Sequence, residues 1–383
     1  MSTRYDLILK EVRLLERSAA TDIAIRGGRI AAIGRMPGDA KRILDAGGLR
    51  TVPGFIDLHI QGAGGADVLD GTPEALQTMS QSLARLGTTG FLATSVIFPD
   101  GENRHLAEAA AAVGKYLGGA QLLGIHLEGP YINPEKKGGL NPRCIYEPGV
   151  QGLDSVLTAC RGALRMMTLA PEMPGGIDLI RGLLANGVVP ALGHTGATYD
   201  QARAGFDAGI RHVTHVFNAM PALNHREPGP LLALFEHPQA TVQIISDGVH
   251  VHPGMVRLLS RLIGVERCVP ITDGIQAIGL PEGRYIYNGR EYESMQGTAR
   301  YLDGTLIGSA LSLAEITWRF QRFTGCAPAQ AVAAATFQAA RVIGLGNRKG
   351  KIAPDYDADL VILNADNSVA LTMVGGEVVW QNS

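Results

Sequence analysis

Cysteine is scarce in this chain, and long apolar runs are missing. The four cysteines among the 383 residues lie far apart and form no C-x-x-C pair. This spacing predicts packing thiols in a reducing compartment rather than a disulfide framework. No apolar run reaches the length that crosses a membrane, and the charged N-terminal segment lacks the apolar region of a signal peptide. We therefore expect a cytoplasmic protein that does not bind membranes.

A large excess of charge is also lacking. The formal net charge is -2, so no broad cationic field is available to bind nucleic acid or anionic lipid. Recognition of a phosphate group would have to come from a few placed side chains. The hydrophobic fraction of 46% is that of an ordinary globular protein with a sizeable core.

Apolar runs that end in a polar or small residue recur eight times in the middle of the chain. They lie at residues 55–60, 90–95, 122–128, 166–172, 188–194, 212–218, 241–247 and 268–273. Helix-like segments separate most of them, which is typical of a buried parallel sheet. Eight repeats predict closure into a (β/α)8 TIM barrel. A doubly wound open sheet is the alternative, but the first strand is not followed by a G-x-G-x-x-G turn.

Short β-strand patterns with Gly turns occupy both ends of the chain. They predict a small β-sandwich domain that combines residues 1–53 with residues 346–383, leaving residues 54–345 for the barrel. Residues 275–309 interrupt the alternation, and residues 283–290 within them predict a polar hairpin inserted after the eighth strand. Such an insertion is either a lid over the site or a decoration.

Chemically active side chains stand at the ends of five of these strands: His59, Glu128, His194, His215 and Asp273. The carboxyl ends of TIM-barrel strands meet at one mouth, so we expect these residues to share a cavity. Imidazole and carboxylate are ligands for zinc or a similar divalent ion. Asp273 could then take a proton from water and give it to a leaving amine. Each residue taken alone has a simpler structural use, such as a turn cap for Asp273.

Several motifs resemble a known family. The segment PGFIDLH at residues 53–59 is similar to the first-strand motif of the amidohydrolase superfamily. Further segments resemble N-acetylglucosamine-6-phosphate deacetylases, in the order found in that family: HLEGP at 126–130, GHT at 193–195, HVFNAM at 215–220, REPG at 226–229, DGVH at 247–250 and GTLIGS at 304–309.

The resemblance implies one divalent metal ion per chain, Zn²⁺ first and Fe²⁺, Mn²⁺ or Co²⁺ as alternatives. Its ligands would be Glu128, His194 and His215, with His59 and Gln61 as weaker ones, and Asp273 would be the proton shuttle. A homodimer is also implied. The implied substrate contacts are Gly139, Leu140, Asn218, Ala219, Arg226, Asp247, His250, Leu306, Ile307 and Gly308. For Arg226 the alternative is a surface ion pair with Glu227 or Glu236.

Two positions depart from the family pattern. Gln61 replaces the second histidine of the H-x-H motif, and because an amide is a poorer zinc ligand than imidazole, a single metal ion is favoured. Leu140 stands where the family usually has a histidine thought to reach the substrate. Leucine cannot donate a hydrogen bond, which leaves the identity of the amino sugar and the need for its phosphate open.

The resemblance therefore implies hydrolysis of the acetamido group of an N-acetyl hexosamine 6-phosphate, with N-acetylglucosamine 6-phosphate as the first candidate. Another N-acetyl hexosamine remains an alternative, as does a cyclic amidase of the same superfamily. Such amidases commonly use a carboxylated lysine between two metals, and no lysine ends a predicted barrel strand here. A catalytically silent barrel scaffold is the alternative outside enzymes.

Overall fold

The computed structural model describes residues 5–17, 19–36, 38–99, 101, 103–146, 152–287 and 289–382. The chain begins with five strands that build most of a terminal β domain. These are β1 (Tyr5–Leu14), β2 (Thr21–Arg26), β3 (Arg29–Gly34), β4 (Ala40–Asp45) and β5 (Arg50–Pro53). Gly27 and Gly28 join β2 to β3 with φ values of 57° and 75°, the left-handed conformation that a tight hairpin turn requires.

The chain then enters a parallel barrel. The strand order is consecutive around the sheet, and a two-stranded hairpin, β7 with β8, follows the first barrel strand. The hairpin strands are β7 (Gly62–Ala63) and β8 (Ala66–Asp67). The eight barrel strands are β6 (Phe55–Ile60), β9 (Thr88–Ser95), β10 (Gln121–Glu128), β11 (Leu164–Leu169), β12 (Val189–Leu192), β13 (His212–Val213), β14 (Thr241–Ile244) and β15 (Cys268–Pro270). All eight predicted barrel strands are confirmed.

Hydrogen bonds between the first and last barrel strands close the ring. The backbone N–H of Asp273 donates to His59 O at 3.0 Å, and that of Gln61 donates to Gly274 O at 2.8 Å. The buried carboxylate of Asp57 adds a side-chain link, because it accepts the Thr272 hydroxyl at 2.6 Å. The TIM barrel is therefore confirmed, and its seam lies beside His59 and Asp273.

Helices cover the outside of the barrel. Each buries an apolar face, as α1 does with Leu76, Met79 and Leu83, and full burial of such a side chain stabilises by about 1.5–3 kcal/mol. They are α1 (Pro73–Arg85), α2 (Arg104–Ala112), α3 (Leu153–Ala159), α4 (Gly176–Ala185), α5 (Tyr199–Ala208), α6 (Gly229–Glu236), α7 (Pro253–Ile263), α8 (Leu313–Thr324), α9 (Pro328–Ala333) and α10 (Ala339–Val342). None of the described helices has the length and apolar character that a membrane crossing requires.

The insertion after the eighth strand is larger than the predicted hairpin. It forms an antiparallel sheet of four strands: β16 (Gly283–Tyr287), β17 (Arg290–Met295), β18 (Thr298–Tyr301) and β19 (Leu306–Ser309). β16 pairs with β17 as the predicted hairpin. The two further strands were not predicted, because the second reversal is made by Gln296 and Gly297, both at positive φ, and carries no strong turn motif. Buried Tyr292, Ala299 and Tyr301 give this sheet a small core of its own.

The last strands return to the terminal domain: β20 (Leu360–Leu363), β21 (Val369–Val374) and β22 (Glu377–Gln381). β1 pairs with β2 and β4 along most of its length and with β5 at its end. β5 pairs with β20, β20 with β21, and β21 with β22. Side chains of the two halves pack into one core, including Leu9, Ile23, Leu360 and Met373. The β-sandwich built from both termini is confirmed, whereas the boundaries after residues 53 and 345 stay predictions.

A buried lysine ties the terminal domain to the barrel. Lys349 is 3% exposed, and its Nζ donates to Asp359 Oδ2 at 2.6 Å, lies 3.0 Å from Asp357 Oδ2 and donates to Gln121 Oε1 at 2.7 Å. Asp359 and Asp357 precede β20, whereas Gln121 begins β10 of the barrel. Removal of one partner of such a pair leaves an uncompensated buried charge.

We expect Lys349→Met to lower the free energy of unfolding by about 3–5 kcal/mol, because the buried Asp359 loses its counter-ion and Asp357 keeps only the half-exposed Arg348. Urea denaturation followed by circular dichroism measures this change. Lys115→Met, at an exposed lysine on the helical side of the barrel, is the control and should shift stability by less than about 0.5 kcal/mol. Equal effects of the two substitutions would show that the Lys349 contacts do not stabilise the fold.

Candidate metal centre

Three side chains converge at the mouth of the barrel. Oε1 of Glu128, at the end of β10, lies 2.9 Å from Nε2 of His194 and 3.0 Å from Nε2 of His215. The two Nε2 atoms lie 3.0 Å from each other. All three residues are buried, and their ligand atoms lie close enough together to hold a metal ion. The structure therefore brings together the three residues that the sequence predicted as principal ligands.

The outer contact of His194 and the burial of His215 fit a ligand role. Nδ1–H of His194 donates to Lys136 O at 2.7 Å, so the neutral ring presents the lone pair of Nε2 to the cluster. Burial lowers the pKa of His215 and favours the neutral form, which is the form that binds metals. Three lone-pair atoms within about 3 Å repel one another unless positive charge lies between them. The donor set and its orientation therefore fit one divalent cation.

His59 lies behind the cluster rather than in its wall. Its Nδ1–H donates to Gln243 Oε1 at 3.0 Å, and its Nε2 lies 3.2 Å from Asp273 Oδ1 and 3.6 Å from Glu128 Oε1. Burial lowers its pKa, but the charges of Asp273 and Glu128 outweigh this effect and raise the pKa to about 9. The buried carboxylates thus draw a proton onto His59, which indicates a cavity built to hold positive charge.

Gln61 occupies the position of the second histidine of the H-x-H pattern. Its Nε2 donates to Asp273 Oδ1 at 3.0 Å and lies 3.2 Å from His59 Nε2. The amide nitrogen therefore faces the place where a second ion would need a ligand. A neutral amide is a poorer ligand than imidazole, which supports the expectation of one ion per chain.

Asp273 is a further carboxylate at the mouth, and its side chain is 17% exposed. Its backbone has a φ of 48°, and His194 and His215 have φ values of 48° and 25°. Non-glycine residues in this region cost about 1–3 kcal/mol each and persist where the surrounding structure enforces them. The strand ends are thus bent so that these three side chains turn inward.

One cavity of about 260 Å³ contains the cluster and Asp273. Of the residues that the sequence predicted, the structure places in its wall Gln61, Glu128, Gly139, Leu140, His194, His215, Asn218, Ala219, His250, Asp273, Leu306 and Ile307. Four others are not in the wall. His59 and Gly308 are covered by neighbouring residues, Asp247 lies behind His250, and Arg226 is exposed on the loop before α6.

The pair of Asp247 and His250 holds the His250 ring in a fixed orientation. His250 Nδ1–H donates to Asp247 Oδ2 at 2.5 Å, and the backbone N–H groups of Val249 and His250 donate to Asp247 Oδ1. Burial would raise the pKa of Asp247, but the hydrogen bond from His250 and these backbone bonds lower it below its usual range. The carboxylate therefore stays charged and leaves Nε2 of His250 for the cavity.

The sequence analysis missed several residues of the site. Gln243 accepts His59 Nδ1–H and the backbone N–H of His215, and so connects three strands. Its one signal is a polar residue inside an apolar strand. Asp67, Ser95 and Tyr287 line the cavity, the last from the inserted sheet. The signal for Ser95 is its place at the end of the predicted strand 90–95. Nothing in the local sequence marks Asp67 in β8 or Tyr287 in β16, because these strands reach the site only in the folded protein.

The barrel mouth combines a buried cluster of one carboxylate and two imidazoles with a nearby acid, Asp273. This arrangement is typical of metal-dependent hydrolases. Residues 51–379 match the model of the amidohydrolase family. The chain belongs to the amidohydrolase family.

The chain is also similar to individual enzymes of known activity. The chain is 34% identical over 378 residues to N-acetylgalactosamine-6-phosphate deacetylase of Escherichia coli O157:H7, covering 97% of this chain and 98% of that protein. It is 35% identical over 346 residues to N-acetylglucosamine-6-phosphate deacetylase of Vibrio furnissii, covering 89% and 86%. A Mycobacterium smegmatis N-acetyl-D-glucosamine-6-phosphate deacetylase mutant, solved with N-acetyl-D-glucosamine-6-phosphate, superposes with a TM-score of 0.88 at 33% identity over 99% of this chain and 100% of that chain.

We expect the purified protein to retain about one divalent ion per chain after dialysis, and His215→Ala to reduce that content strongly, because one of three ligands is removed. Elemental analysis by mass spectrometry measures both values. His225→Ala, at an exposed loop histidine, is the control and should keep the metal content of the unmodified protein. Two retained ions per chain, or full metal content in His215→Ala, would contradict this assignment.

Proposed function

We propose that this enzyme hydrolyses the acetamido group of an N-acetyl hexosamine 6-phosphate, with N-acetylglucosamine 6-phosphate as the first substrate. The products are acetate and the amino sugar phosphate. The observation that carries this proposal is the single cavity that combines the Glu128, His194 and His215 cluster with Asp273 and His250. The names of the relatives, which include enzymes for both hexosamine epimers, support the substrate class.

One divalent ion, Zn²⁺ or else Fe²⁺, Mn²⁺ or Co²⁺, would be held by Glu128, His194 and His215, and no second ion would be bound beside Gln61. When bound, such an ion polarises the amide carbonyl and lowers the pKa of water. The protein's own contribution is to exclude bulk water from the cluster and, through Lys136 O, to keep the His194 imidazole in the tautomer whose Nε2 lone pair faces the cavity.

Asp273 carries the proton in this mechanism. Its carboxylate takes a proton from the attacking water, whose oxygen bonds to the carbonyl carbon. The same proton then goes to the amide nitrogen as the C–N bond breaks. Gln61 Nε2 holds Asp273 Oδ1 at 3.0 Å, so the carboxylate is oriented before the substrate arrives.

The sugar phosphate would be held on the side of the cavity that follows β13 and β14. Asn218 and Ala219 follow β13, and His250 follows β14 with its Nδ1 fixed by Asp247. When its Nε2 also carries a proton, the His250 ring would donate a hydrogen bond to a phosphate dianion. Gly139, Leu140, Leu306 and Ile307 would enclose the sugar, with Gly308 behind them.

A homodimer in the cytoplasm is also part of the proposed function. Helix α7 exposes an apolar stripe of Met255, Leu258 and Leu262, a surface that a homodimer would bury. Arg226 is exposed in this chain and lies outside the cavity wall, so a shared site would explain its place in the motif. The four cysteines are free, which supports a cytoplasmic location.

A cyclic amidase is the less supported alternative. Enzymes of that kind in the same superfamily use a carboxylated lysine between two metals. No lysine is among the described residues that line the cavity, and Gln61 directs an N–H donor toward the second-ion position.

We expect Asp273→Asn to retain the metal and to lower kcat by roughly 10²–10⁴, with a smaller change in KM, because the proton carrier is lost while the shape is kept. Steady-state kinetics together with metal analysis measure this. Asp303→Asn, in the inserted sheet, is the control. A metal-replete Asp273→Asn enzyme within a few-fold of the unmodified one would remove Asp273 from the proton path.

We expect Arg226→Ala to raise KM for the 6-phosphorylated substrate by about one to two decades and to leave KM for the unphosphorylated sugar much less changed. The reason is that a hydrogen bond to a charged group contributes roughly 1.5–3 kcal/mol. Paired kinetics on the two sugars measure the difference, and Arg203→Ala, on exposed α5, is the control. Equal losses on both sugars would assign Arg226 a structural role.

A further inference from the structure

A second cavity lies at the amino end of the barrel, where the terminal β domain packs on helix α9. Its volume is about 400 Å³, within the range of small-molecule sites. Val52 and Pro53, which precede the first barrel strand, form part of its wall. It shares no described lining residue with the cavity at the barrel mouth. A ligand bound here would therefore be separate from the metal centre.

The inner wall of this cavity is apolar. Leu15, Val52 and Val332 line it from the cluster that joins the terminal domain to the barrel. Ile33 and Ile352 line it from the core of the terminal domain. The cavity thus lies between two packed layers. An occupant with a hydrocarbon portion fits such a wall, since each buried CH₂ group strengthens binding by about four-fold.

The backbone of one wall departs from a regular helix. A π-helical turn (Ala334–Gln338) joins α9 to α10, and its residues Thr336 and Phe337 line the cavity. Gly350 packs on this turn at a φ of 84°, and a Cβ there would lie 2.6 Å from Phe337 N, so only glycine allows this approach. Single π-helical turns occur frequently at functional sites. The irregular backbone therefore supports the assignment of a ligand to this cavity.

Two cations at the rim lack a carboxylate partner. Arg17 and Lys351 are exposed, line the cavity and form no ion pair with a described residue. Nζ of Lys351 lies 3.7 Å from the centre of the Phe337 ring, so a cation–π contact holds it against the wall. Glu16 is the one carboxylate among the described lining residues, which leaves an excess of one positive charge. That excess favours a singly charged anion.

A buried hydroxyl group in the same wall is also unpaired. Thr51 lines the cavity and is 1% exposed, and its Oγ1 has no hydrogen-bond partner within the described ranges of the chain. Thr51 pairs in register with Leu14, and the backbone N–H of Arg17 donates to Leu14 O at 3.1 Å. The unpaired hydroxyl and Arg17 thus belong to the same end of the cavity. Because buried hydroxyl groups are rarely left unpaired, a ligand with acceptor oxygens fits this end.

We propose that this cavity is a second ligand site, which takes a medium-chain carboxylate such as octanoate. The carboxylate would lie beside Arg17 and Lys351, and the hydrocarbon chain would pack against Val52 and Val332. Binding here makes and breaks no covalent bond. The proposal rests on this cavity alone, so it stands or falls separately from the proposed hydrolysis.

The test is isothermal titration calorimetry on the metal-loaded full chain with octanoate, butanoate, 1-octanol and octylammonium. We expect octanoate to bind about ten-fold more tightly than 1-octanol, and octylammonium to bind more weakly still, because the rim is cationic. Butanoate should bind at least about ten-fold more weakly than octanoate, since four fewer CH₂ groups are buried. Carboxylates that merely coordinate the metal centre would show little dependence on chain length.

Variants at the rim and in the wall locate the bound octanoate. Arg17→Gln and Lys351→Gln should each weaken its binding about two- to five-fold, as expected for exposed charges. The double variant should bind octanoate no better than 1-octanol. Ala333→Phe fills the cavity and should abolish binding. Lys115→Gln, at an exposed lysine that lines neither cavity, is the control and should bind octanoate like the unmodified protein.

Three results would overturn the proposal. The first is no detectable binding of octanoate at millimolar concentration. The second is equal binding of octanoate and butanoate, which would assign the carboxylate to the metal centre. The third is octanoate binding that the double variant at Arg17 and Lys351 leaves unchanged. Both substitutions of that variant are at exposed side chains, so it decides the question even if Ala333→Phe does not fold.

Discussion

The closure of the barrel between its first and eighth strands is the constraint on which the site depends. Asp57 and Thr272 join these strands by a buried hydrogen bond, and the N–H of Asp273 binds His59 O beside it. His59 and Asp273 therefore face each other because the seam is closed in this register. A slip of one residue would turn either side chain away from the mouth, since neighbouring strand residues point to opposite faces.

The site concentrates features that oppose folding. Glu128, His194 and His215 place lone pairs about 3 Å apart in a buried region, and both histidines share with Asp273 a backbone at positive φ. Proteins retain such strain where function requires it and offset it elsewhere. Here the offset includes the barrel core, the Lys349 ion pairs and, in the metal-bound enzyme, the cation that the donor set fits.

Opposite sides of the same mouth have different characters. The connections after β13 and β14 bring Asn218, Ala219 and the fixed His250 ring, whereas those after β6 and β9 bring apolar groups and the unpaired Asp67 oxygen. The inserted sheet contributes Tyr287 from above. Eight separate connections end at one rim. Different connections can therefore bind the sugar, contact the acyl group and carry the reacting side chains without any change in the barrel.

The sequence by itself determined the periodicity of the eight strands, the β character of both termini and the polar residues at the strand ends. These features are local, since burial on both faces of a strand and a polar terminus are visible in a few consecutive residues. It did not determine the four-stranded extent of the insertion, the role of Gln243 beneath His59, or the exposed position of Arg226. The tertiary structure alone decided these and the unpaired state of Asp67, because each depends on which distant connections meet at the rim, and the order of residues along the chain does not contain those distances.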